Sequence, residues 1–351
     1  MCSWNNVNSD EFPVSNGVRQ GAVLSPFLFN IYMDELISDL INDGSGCWIG
    51  STFYGILVYA DDILLLAPSV ASLQKMILTC QKFGSKNGLD FNSKKSVCIN
   101  FHKPGDCKTA DCEPTLLLND IKLKWCNSIK HLGHTISCCL DFDADISVRK
   151  GQFISCVNNI LSEFAFAHPA VKVKLLKVHG TSFYGSNLWN LYGCGATKLN
   201  TTWNIAIRKL YSLPYQTHTR YLDLISKTRH LNVVLKYRFI SFVKSLTTTV
   251  NPLIHNLVTS YVFNHVSPTG LMLSRITREF DSTLSLTNDS DYIDTLKSLL
   301  YHKQNNLYIL TDEEVSFCQI IAELTDCLHG LKHTSLLNDE YKFIINMLAT
   351  S

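Results

Sequence analysis

The chain has 351 residues, of which 46% are hydrophobic and 17% are charged. This length allows roughly two domains with ample cores, and the composition excludes a disordered chain. No run of about 18 uncharged apolar residues occurs, which argues against a membrane span, and the first residues lack the basic and apolar regions of a signal peptide. We therefore expect an intracellular protein, of the cytoplasm or nucleus, with no membrane partner.

The net charge of +1 conceals three blocks of different sign. Residues 1–145 hold 11 Lys or Arg and 16 Asp or Glu, a net charge of −5. Residues 146–244 hold 14 Lys or Arg but only two acids, Glu163 and Asp223, a net charge of +12. The remainder carries −6. The middle block predicts a surface that tracks a phosphate backbone, although solvated helix faces over an aromatic core explain the charge alone equally well.

Basic and aromatic side chains alternate within this middle block. The basic residues include Lys172, Lys174, Lys177, Arg208, Lys209, Arg220, Lys227, Arg229, Lys236 and Arg238. Aromatic side chains that could stack on bases are Tyr184, Trp189, Tyr192, Trp203, Tyr211 and Tyr221.

Thirteen cysteines are scattered along a chain that is too long to need disulfides for stability. Their odd number and the lack of an export signal favour reduced thiols. The densest group comprises Cys107, Cys112, Cys126, His131 and His134. A zinc site is conceivable there, but the group lacks a C-x2-C pair, so ordinary loop and core cysteines are the preferred interpretation.

The hydrophobic pattern predicts an α+β front followed by a mainly helical region. Ser25-Pro26 has the form of a helix N-cap followed by proline, and Gly44 marks the end of that helix. Two short apolar runs around the small polar turn Ala60-Asp61-Asp62 predict a β-hairpin. The remaining predictions are a helix over residues 72–83, a strand over 97–101, a strand over 128–136 that contains Leu132-Gly133, helices from residue 145 onward and a polar linker near 287–291.

Asp61 and Asp62 are adjacent carboxylates in the predicted hairpin turn. Neighbouring carboxylates repel one another unless something compensates their charge. A solvent-exposed polar turn is the simplest explanation. A divalent cation is the other, because Mg²⁺ prefers carboxylate oxygens and keeps open positions for substrate phosphates.

The string Tyr59-Ala60-Asp61-Asp62 between two apolar strands resembles the signature of reverse transcriptases. Three further blocks resemble that family in order and at plausible spacing: Gly17-Val18-Arg19-Gln20-Gly21 leading to Ser25-Pro26-Phe27-Leu28, then Asn92-Ser93-Lys94-Lys95-Ser96, and then His131-Leu132-Gly133. The sequence is similar in particular to non-LTR (LINE-type) retrotransposons, through Arg19-Gln20-Gly21, Gly46-Cys47-Trp48-Ile49-Gly50 and Leu66-Ala67-Pro68-Ser69.

The resemblance implies an RNA-directed DNA polymerase that uses two-metal nucleotidyl transfer. A partial polymerase palm, with antiparallel strands and packed helices, would occupy residues 1–140. A basic helical thumb-like region would occupy 141–250, and an acidic helical region 251–351. The implied cofactor is Mg²⁺, with Mn²⁺ possible, and the implied partners are an RNA template, a DNA primer and nucleotide triphosphates.

The resemblance also implies roles for single residues. Asp61 and Asp62 would bind metal, with Asp61 favoured for direct coordination, and Lys95 would protonate or neutralise the leaving pyrophosphate. Gln20 and Gly21 would lie along the incoming nucleotide and template. Tyr59, Leu132 and Gly133 would contact the primer. Nucleic-acid contacts in the thumb-like region would include Lys172, Lys174, Lys177, Arg208, Lys209 and Arg220.

One part of the family's pattern has no match in this sequence. The family has a further metal-binding aspartate on a strand before the Gln-Gly block, and neither Asp10 nor Glu11 lies in such a context. We therefore expect residues 1–351 alone to be inactive, as a segment truncated at its N-terminus. The alternatives are a non-enzymatic retroelement relic that at most binds RNA through residues 146–244, and, less favoured, a host interaction protein with a chance Asp-Asp turn.

Overall fold

A computed structural model describes residues 3–11, 17–19, 21–102, 114–280 and 290–305. The chain divides into two compact units, Met1–Asn127 and Ser128–Ser351. No helix within the described ranges is long and apolar enough to cross a membrane.

The first unit combines two long helices with short strand pairs. Helix α1 and helix α2 pack against one another. The elements in chain order are β1 (Ser3–Trp4), β2 (Val7–Asn8), α1 (Ser25–Asp43), β3 (Trp48–Ile49), β4 (Thr52–Phe53), β5 (Ile56–Tyr59), β6 (Asp62–Leu65), α2 (Val70–Asn87), β7 (Val97–Cys98), β8 (Leu117–Leu118), β9 (Ile121–Lys122) and β10 (Lys124–Trp125). Strands β7 and β10 pair in parallel, and the other pairs are antiparallel hairpins: β1 with β2, β3 with β4, β5 with β6 and β8 with β9.

The first unit has its main core between the two helices and the hairpins. Leu36 and Leu40 of α1 and Met76 of α2 are fully buried, as expected for residues that recur at helical spacing. Strands β5 and β6 rest on this core through Ile56, Ile63 and Leu65. A second cluster of buried hydrophobic residues also includes a residue of α2. The core therefore supports the hairpin that carries Asp61 and Asp62.

The second unit begins with one hairpin and continues as helices. Its elements are β11 (Ser128–His131), β12 (His134–Ser137), α3 (Asp143–Glu163), α4 (Pro169–Leu175, continued as a π-helical turn over Leu176–Gly180), α5 (Cys194–Leu210), α6 (Thr219–Ser226), α7 (Leu231–Thr247), α8 (Pro252–Leu257, continued over Val258–Val262), α9 (Pro268–Phe280) and α10 (Ser290–Asn305). One continuous core joins the helices, with Phe153, Trp189, Leu199 and Leu273 among its most buried side chains.

The mixture of helices and short sheets agrees with the predicted α+β class, and several element predictions are confirmed. The hairpin at 56–65 is present, and α1 ends at Gly44, whose φ is +69°. The predicted helix at 72–83 is longer and runs from Val70 to Asn87. The predicted strand at 97–101 is shorter and covers Val97–Cys98.

Three sequence predictions need correction. Ser25 is the first residue of α1 rather than its N-cap, because its hydroxyl donates to the carbonyl of Arg19 and leaves the helix end uncapped by a side chain. The predicted strand 128–136 is a hairpin, and Leu132-Gly133 is its turn. Of the predicted linker at 287–291, Ser290 and Asp291 open α10, and residues 287–289 lie outside the described residues.

Candidate metal and nucleic-acid sites

Asp61 and Asp62 lie at the tip of the β5–β6 hairpin. Tyr59 pairs with Asp62, so Ala60 and Asp61 are the two loop residues of a tight β-turn. Ala60 has a φ of +52°, in the left-handed region that glycine usually occupies in such turns. A non-glycine residue held there costs about 1–2 kcal/mol. Because the surrounding pairing holds this conformation, the two carboxylates are fixed at the apex of the hairpin.

Both carboxylates are exposed to solvent. Within the described part of the chain, neither side chain forms a hydrogen bond or an ion pair. Two adjacent carboxylates without a protein cation fit the hard-oxygen preference of a divalent metal ion. However, no group of three or more His, Cys, Asp or Glu side chains that could hold a metal is present among the described residues.

The hairpin has one inner and one outer face. The side chains of Ile56, Ile63 and Leu65 point to the core, whereas Leu57 and Tyr59 alternate with them and are 47% and 67% exposed. The helices cover only one face of this two-stranded sheet, so its other face is open to solvent. The exposed phenol of Tyr59 therefore lies on the outer face, directly across from Asp62.

The turn before α1 contains Gly21, whose φ is +80°. A Cβ atom added at Gly21 would meet no heavy atom within 4 Å, so the backbone conformation, and not crowding inside the chain, is what requires glycine here. The carbonyl of Arg19 accepts hydrogen bonds from the N–H of Ala22 and from the hydroxyl of Ser25. Gln20, the other predicted nucleotide-binding residue, lies outside the described residues.

Lys95 belongs to a compact turn that Asn92 organises. The Oδ1 atom of Asn92 accepts the N–H groups of Lys94 and Lys95 at 3.0 and 3.1 Å, and its carbonyl accepts the N–H of Ser96 at 3.0 Å. An asparagine that bonds to backbone groups two and three residues later forms an Asx-type turn. This arrangement explains the Asn-x-x-Lys-Ser pattern locally and leaves the Lys95 side chain exposed.

Leu132 and Gly133 form the two-residue turn between β11 and β12, in the second unit. Their φ values are +45° and +81°, as in the type I′ turn that matches the twist of a hairpin. Leucine is unfavourable in that conformation because of its Cβ. The Leu132 side chain is 39% exposed at the tip of the hairpin.

The four lysines among the six predicted nucleic-acid contacts differ in exposure. Lys174, Lys177 and Lys209 are exposed. Lys172 is buried and its Nζ donates to the carbonyl of Ala165 at 2.8 Å.

The two arginines of the set are engaged in local contacts. Arg208 donates two hydrogen bonds to the carbonyl of Thr217, at 3.0 and 2.8 Å. The Arg220 guanidinium lies 4.7 Å from the ring centroid of Tyr221. The Nζ atom of Lys177 donates to the carbonyl of Lys227 at 3.0 Å, and partial desolvation of the charged group lowers the pKa of both Lys177 and Arg208.

Three of the six aromatic residues predicted to stack on bases are core residues. Trp189, Trp203 and Tyr211 are at most 5% exposed, so this part of the prediction is wrong. All three belong to the core that packs the helices together. Tyr184, in contrast, is 54% exposed. Sequence reasoning missed Tyr215, which is 76% exposed with the Arg208 guanidinium 5.7 Å from its ring centroid.

The structure describes three of the five residues considered as zinc ligands. Cys107 and Cys112 lie outside the described residues. Among the described residues, Cys126, His131 and His134 do not join any group of three possible metal ligands. The eight cysteines that the structure describes form no disulfides with one another.

Residues 1–136 match the family model of the reverse transcriptase (RNA-dependent DNA polymerase) domain. The chain is also similar to curated retrotransposon proteins. A Pol polyprotein of the type-1 retrotransposable element R2 from Popillia japonica is 32% identical over 171 residues, which cover 47% of this chain and 23% of that protein. The RNA-directed DNA polymerase from the mobile element jockey of Drosophila melanogaster is 23% identical over 268 residues, 72% of this chain and 28% of that protein.

A third relative is the Pol polyprotein of the type-2 element R2DM from Drosophila melanogaster, 36% identical over 92 residues, 26% of this chain and 9% of that protein. The chain thus spans about a quarter or less of the length of these three relatives. All three belong to retroelements of the kind that the sequence motifs indicate. These similarities favour a reverse transcriptase segment over a non-enzymatic relic.

Proposed function

Because residues 1–136 are a reverse transcriptase segment of the non-LTR retrotransposon type, we propose that the chain contributes to RNA-directed DNA synthesis. The observation that carries the proposal is the pair Asp61 and Asp62, which the β5–β6 hairpin holds at its exposed tip. The substrates would be an RNA template, a DNA primer and nucleotide triphosphates.

Asp61 and Asp62 would hold Mg²⁺, or Mn²⁺ in its place. Asp61, as a loop residue at the apex, is the stronger candidate for direct coordination. Bound divalent ions would lower the pKa of the attacking 3′-hydroxyl and neutralise charge on the leaving pyrophosphate. The two carboxylates supply negative charge and oxygen ligands at a fixed position. The family's site has a further carboxylate, so we expect DNA synthesis only where that carboxylate and the rest of the family's polymerase domain complete the site.

The remaining residues of the first unit would position and neutralise the substrates. The Tyr59 phenol would pack near the primer terminus from the outer face of the hairpin. The ammonium group of Lys95, presented by the Asn92 turn, would donate a proton or positive charge to the pyrophosphate. Gln20 and Gly21 would lie along the incoming nucleotide and the template.

The second unit would bind the primer–template duplex. The Leu132-Gly133 turn would contact the primer, and the exposed side chains Lys174, Lys177 and Lys209 would contact phosphates. Arg208, beside Tyr215, and Arg220, beside Tyr221, would also contact the nucleic acid. Lys172 would support the fold through the Ala165 carbonyl. Residues 141–250 would thus form the thumb-like region, and the acidic region 251–351 has no assigned role.

Metal-directed backbone cleavage tests the proposed site without requiring catalysis. Fe²⁺ would replace Mg²⁺ in the full chain bound to an RNA–DNA hybrid, and ascorbate with hydrogen peroxide would generate hydroxyl radicals beside the metal. We expect cleavage around residues 59–63. The double substitution Asp61→Asn with Asp62→Asn should abolish that cleavage, because neutral amides bind divalent ions far more weakly than carboxylates.

The matched control is Asp34→Asn with Glu35→Gln. These residues form another adjacent, exposed acidic pair in the first unit, on helix α1, and their substitution removes the same charge. The control should leave cleavage at residues 59–63 unchanged. Cleavage that is equally weak in both double variants, or that persists without Asp61 and Asp62, would contradict the assignment.

A further inference from the structure

The tip of the β11–β12 hairpin is bound to helix α3 from both sides. The Nη2 atom of Arg149 donates to the carbonyl of Gly133 at 2.6 Å. The Oδ1 atom of Asp145 accepts the backbone N–H of Thr135 at 3.1 Å. Asp145 and Arg149 are four residues apart and so lie on the same face of α3. The helix therefore holds the backbone on either side of His134 with two charge-assisted hydrogen bonds.

Asp145 is itself held in place by the core. The residue is only about 1% exposed, and its Oδ2 atom accepts the indole Nε1–H of Trp189 at 2.8 Å. The same oxygen lies 3.8 Å from Nδ1 of His134. A buried carboxylate is retained only where donors satisfy its oxygens. Both oxygens are satisfied here, and one of the donors is the hairpin backbone.

A layer of rings fixes the remaining side of the hairpin. His134 stacks on Tyr184, with centroids 4.7 Å apart and the ring planes at 21°. The Arg149 guanidinium lies 5.5 Å from the centroid of the same Tyr184 ring. Gly185 has a φ of +82°, and a Cβ atom added there would lie 1.8 Å from Cε1 of His134. These contacts therefore fix the position of the hairpin tip against the helices of the second unit.

We propose that Asp145 and Arg149 are positioning residues that orient the Leu132-Gly133 turn for contact with the primer. This inference rests on the proposed primer-binding role of that turn. Arg149 bonds to the turn residue Gly133 itself, and Asp145 bonds to the strand that leaves the turn. Neither needs to touch nucleic acid. Their effect is to remove the freedom of the turn, so that its contact with the primer terminus costs less conformational entropy.

The test compares Arg149→Gln with Lys150→Gln in the full chain. Both substitutions remove one positive charge from neighbouring positions of α3, so general attraction to phosphates falls equally, but only Arg149 bonds to the hairpin. Hydrogen–deuterium exchange of residues 128–137 reports how firmly the hairpin is held against α3. Fluorescence anisotropy reports the affinity for an RNA–DNA hybrid with a recessed DNA 3′ end, and for a blunt hybrid of equal length.

Arg149→Gln should speed hydrogen exchange in the hairpin. It should also weaken binding of the hybrid with the recessed end about tenfold, because one charge-assisted hydrogen bond is lost. Lys150→Gln should leave exchange unchanged and weaken both hybrids equally, by about two- to threefold. Arg149→Lys, which keeps a donor, should restore part of the preference for the recessed end.

Two results would overturn the positioning role. Unchanged hydrogen exchange in Arg149→Gln would show that the arginine does not hold the hairpin in place. Faster hydrogen exchange together with an equal loss of affinity for the recessed and the blunt hybrid would show that the position of the hairpin does not affect binding of the primer end. If the wild-type chain binds neither hybrid, the proposed function itself fails and the positioning role fails with it, whatever the exchange data show about the hairpin.

Discussion

The indole Nε1–H of Trp189 donates to the Oδ2 atom of Asp145 across 2.8 Å, and both residues are about 1% exposed. This pair joins the segment between α4 and α5 to helix α3 and, through Thr135, to the β11–β12 hairpin. A hydrogen bond to a buried carboxylate is worth more than a neutral one, because its loss leaves an unsatisfied charge in the core.

Trp189→Phe should therefore lower the free energy of unfolding by about 2–4 kcal/mol, from the lost hydrogen bond together with the lost volume. Urea unfolding followed by circular dichroism measures this change. The control is Trp203→Phe, since Trp203 is equally buried but its Nε1 has no partner among the described residues. The control should cost about 1–2 kcal/mol, from volume alone. Equal losses in the two variants would contradict the role of the Asp145 bond.

Gly185→Ala should displace the His134 ring from Tyr184. The added Cβ would lie 1.8 Å from the imidazole, and the left-handed φ of +82° disfavours any side chain. We expect a loss of at least about 1–2 kcal/mol in unfolding free energy. Gly151→Ala is the matched control, because this glycine is inside α3 with open space around it. It should be neutral or stabilising by up to about 1 kcal/mol. A Gly185→Ala protein as stable as the wild type would contradict the close contact.

Asp223 should make the protein less stable as the pH rises from about 4 to 7. Burial raises the pKa of its carboxyl group from 3.8 to about 7 in the folded chain. Between these values the unfolded chain loses the proton while the folded chain keeps it, so the free energy of unfolding falls with pH, by up to about 4 kcal/mol in total. Above pH 7 the contribution is constant.

Asp223→Asn should remove this fall, because an amide does not ionise. Its unfolding free energy should therefore exceed that of the wild type most clearly at pH 7–8, and the two should converge at pH 4. Glu163→Gln is the control, since Glu163 is the other acid of the basic block and is exposed. Thermal unfolding across pH 4–8 makes the comparison, and identical pH profiles for Asp223→Asn and the wild type would refute the assignment.

Exposed lysines of the second unit should determine how nucleic-acid binding depends on salt. Lys174→Gln combined with Lys209→Gln should reduce the slope of log affinity against log salt concentration by about 2, since each phosphate contact releases roughly one counterion. Lys82→Gln with Lys122→Gln removes the same charge from exposed positions of the first unit and should change the slope less. A salt slope that is equal in the two double variants would contradict the proposed surface.

Local signals in the sequence were sufficient to predict the carboxylate hairpin. Two short apolar runs on either side of Ala60-Asp61 define two strands and a tight turn, and glycine correctly marked the end of α1 at Gly44. The Leu132-Gly133 turn was not predicted, because leucine carries no turn signal. Its positive φ is held by tertiary contacts, namely those of Asp145 and Arg149 with the hairpin.

Burial within the basic block also depended on tertiary packing. Trp203 and Tyr211 belong to an apolar stripe at helical spacing, and that stripe, not the neighbouring lysines, decided that they are core residues. Lys172 has the same sequence signature as Lys174, two positions later, but only Lys172 reaches the Ala165 carbonyl and is buried. Counting charges therefore located the basic region without distinguishing structural lysines from exposed ones.

Primer extension tests the central claim that Asp61 and Asp62 belong to a polymerase site. Residues 1–136 would replace the matching segment of the R2 polyprotein from Popillia japonica, and the chimaera would be assayed with an RNA template, a DNA primer and Mg²⁺. We predict extension that falls by at least about a hundredfold with Asp61→Asn and is unaffected by Asp34→Asn. A folded, hybrid-binding chimaera that makes no DNA, or one whose activity survives Asp61→Asn, would contradict the claim.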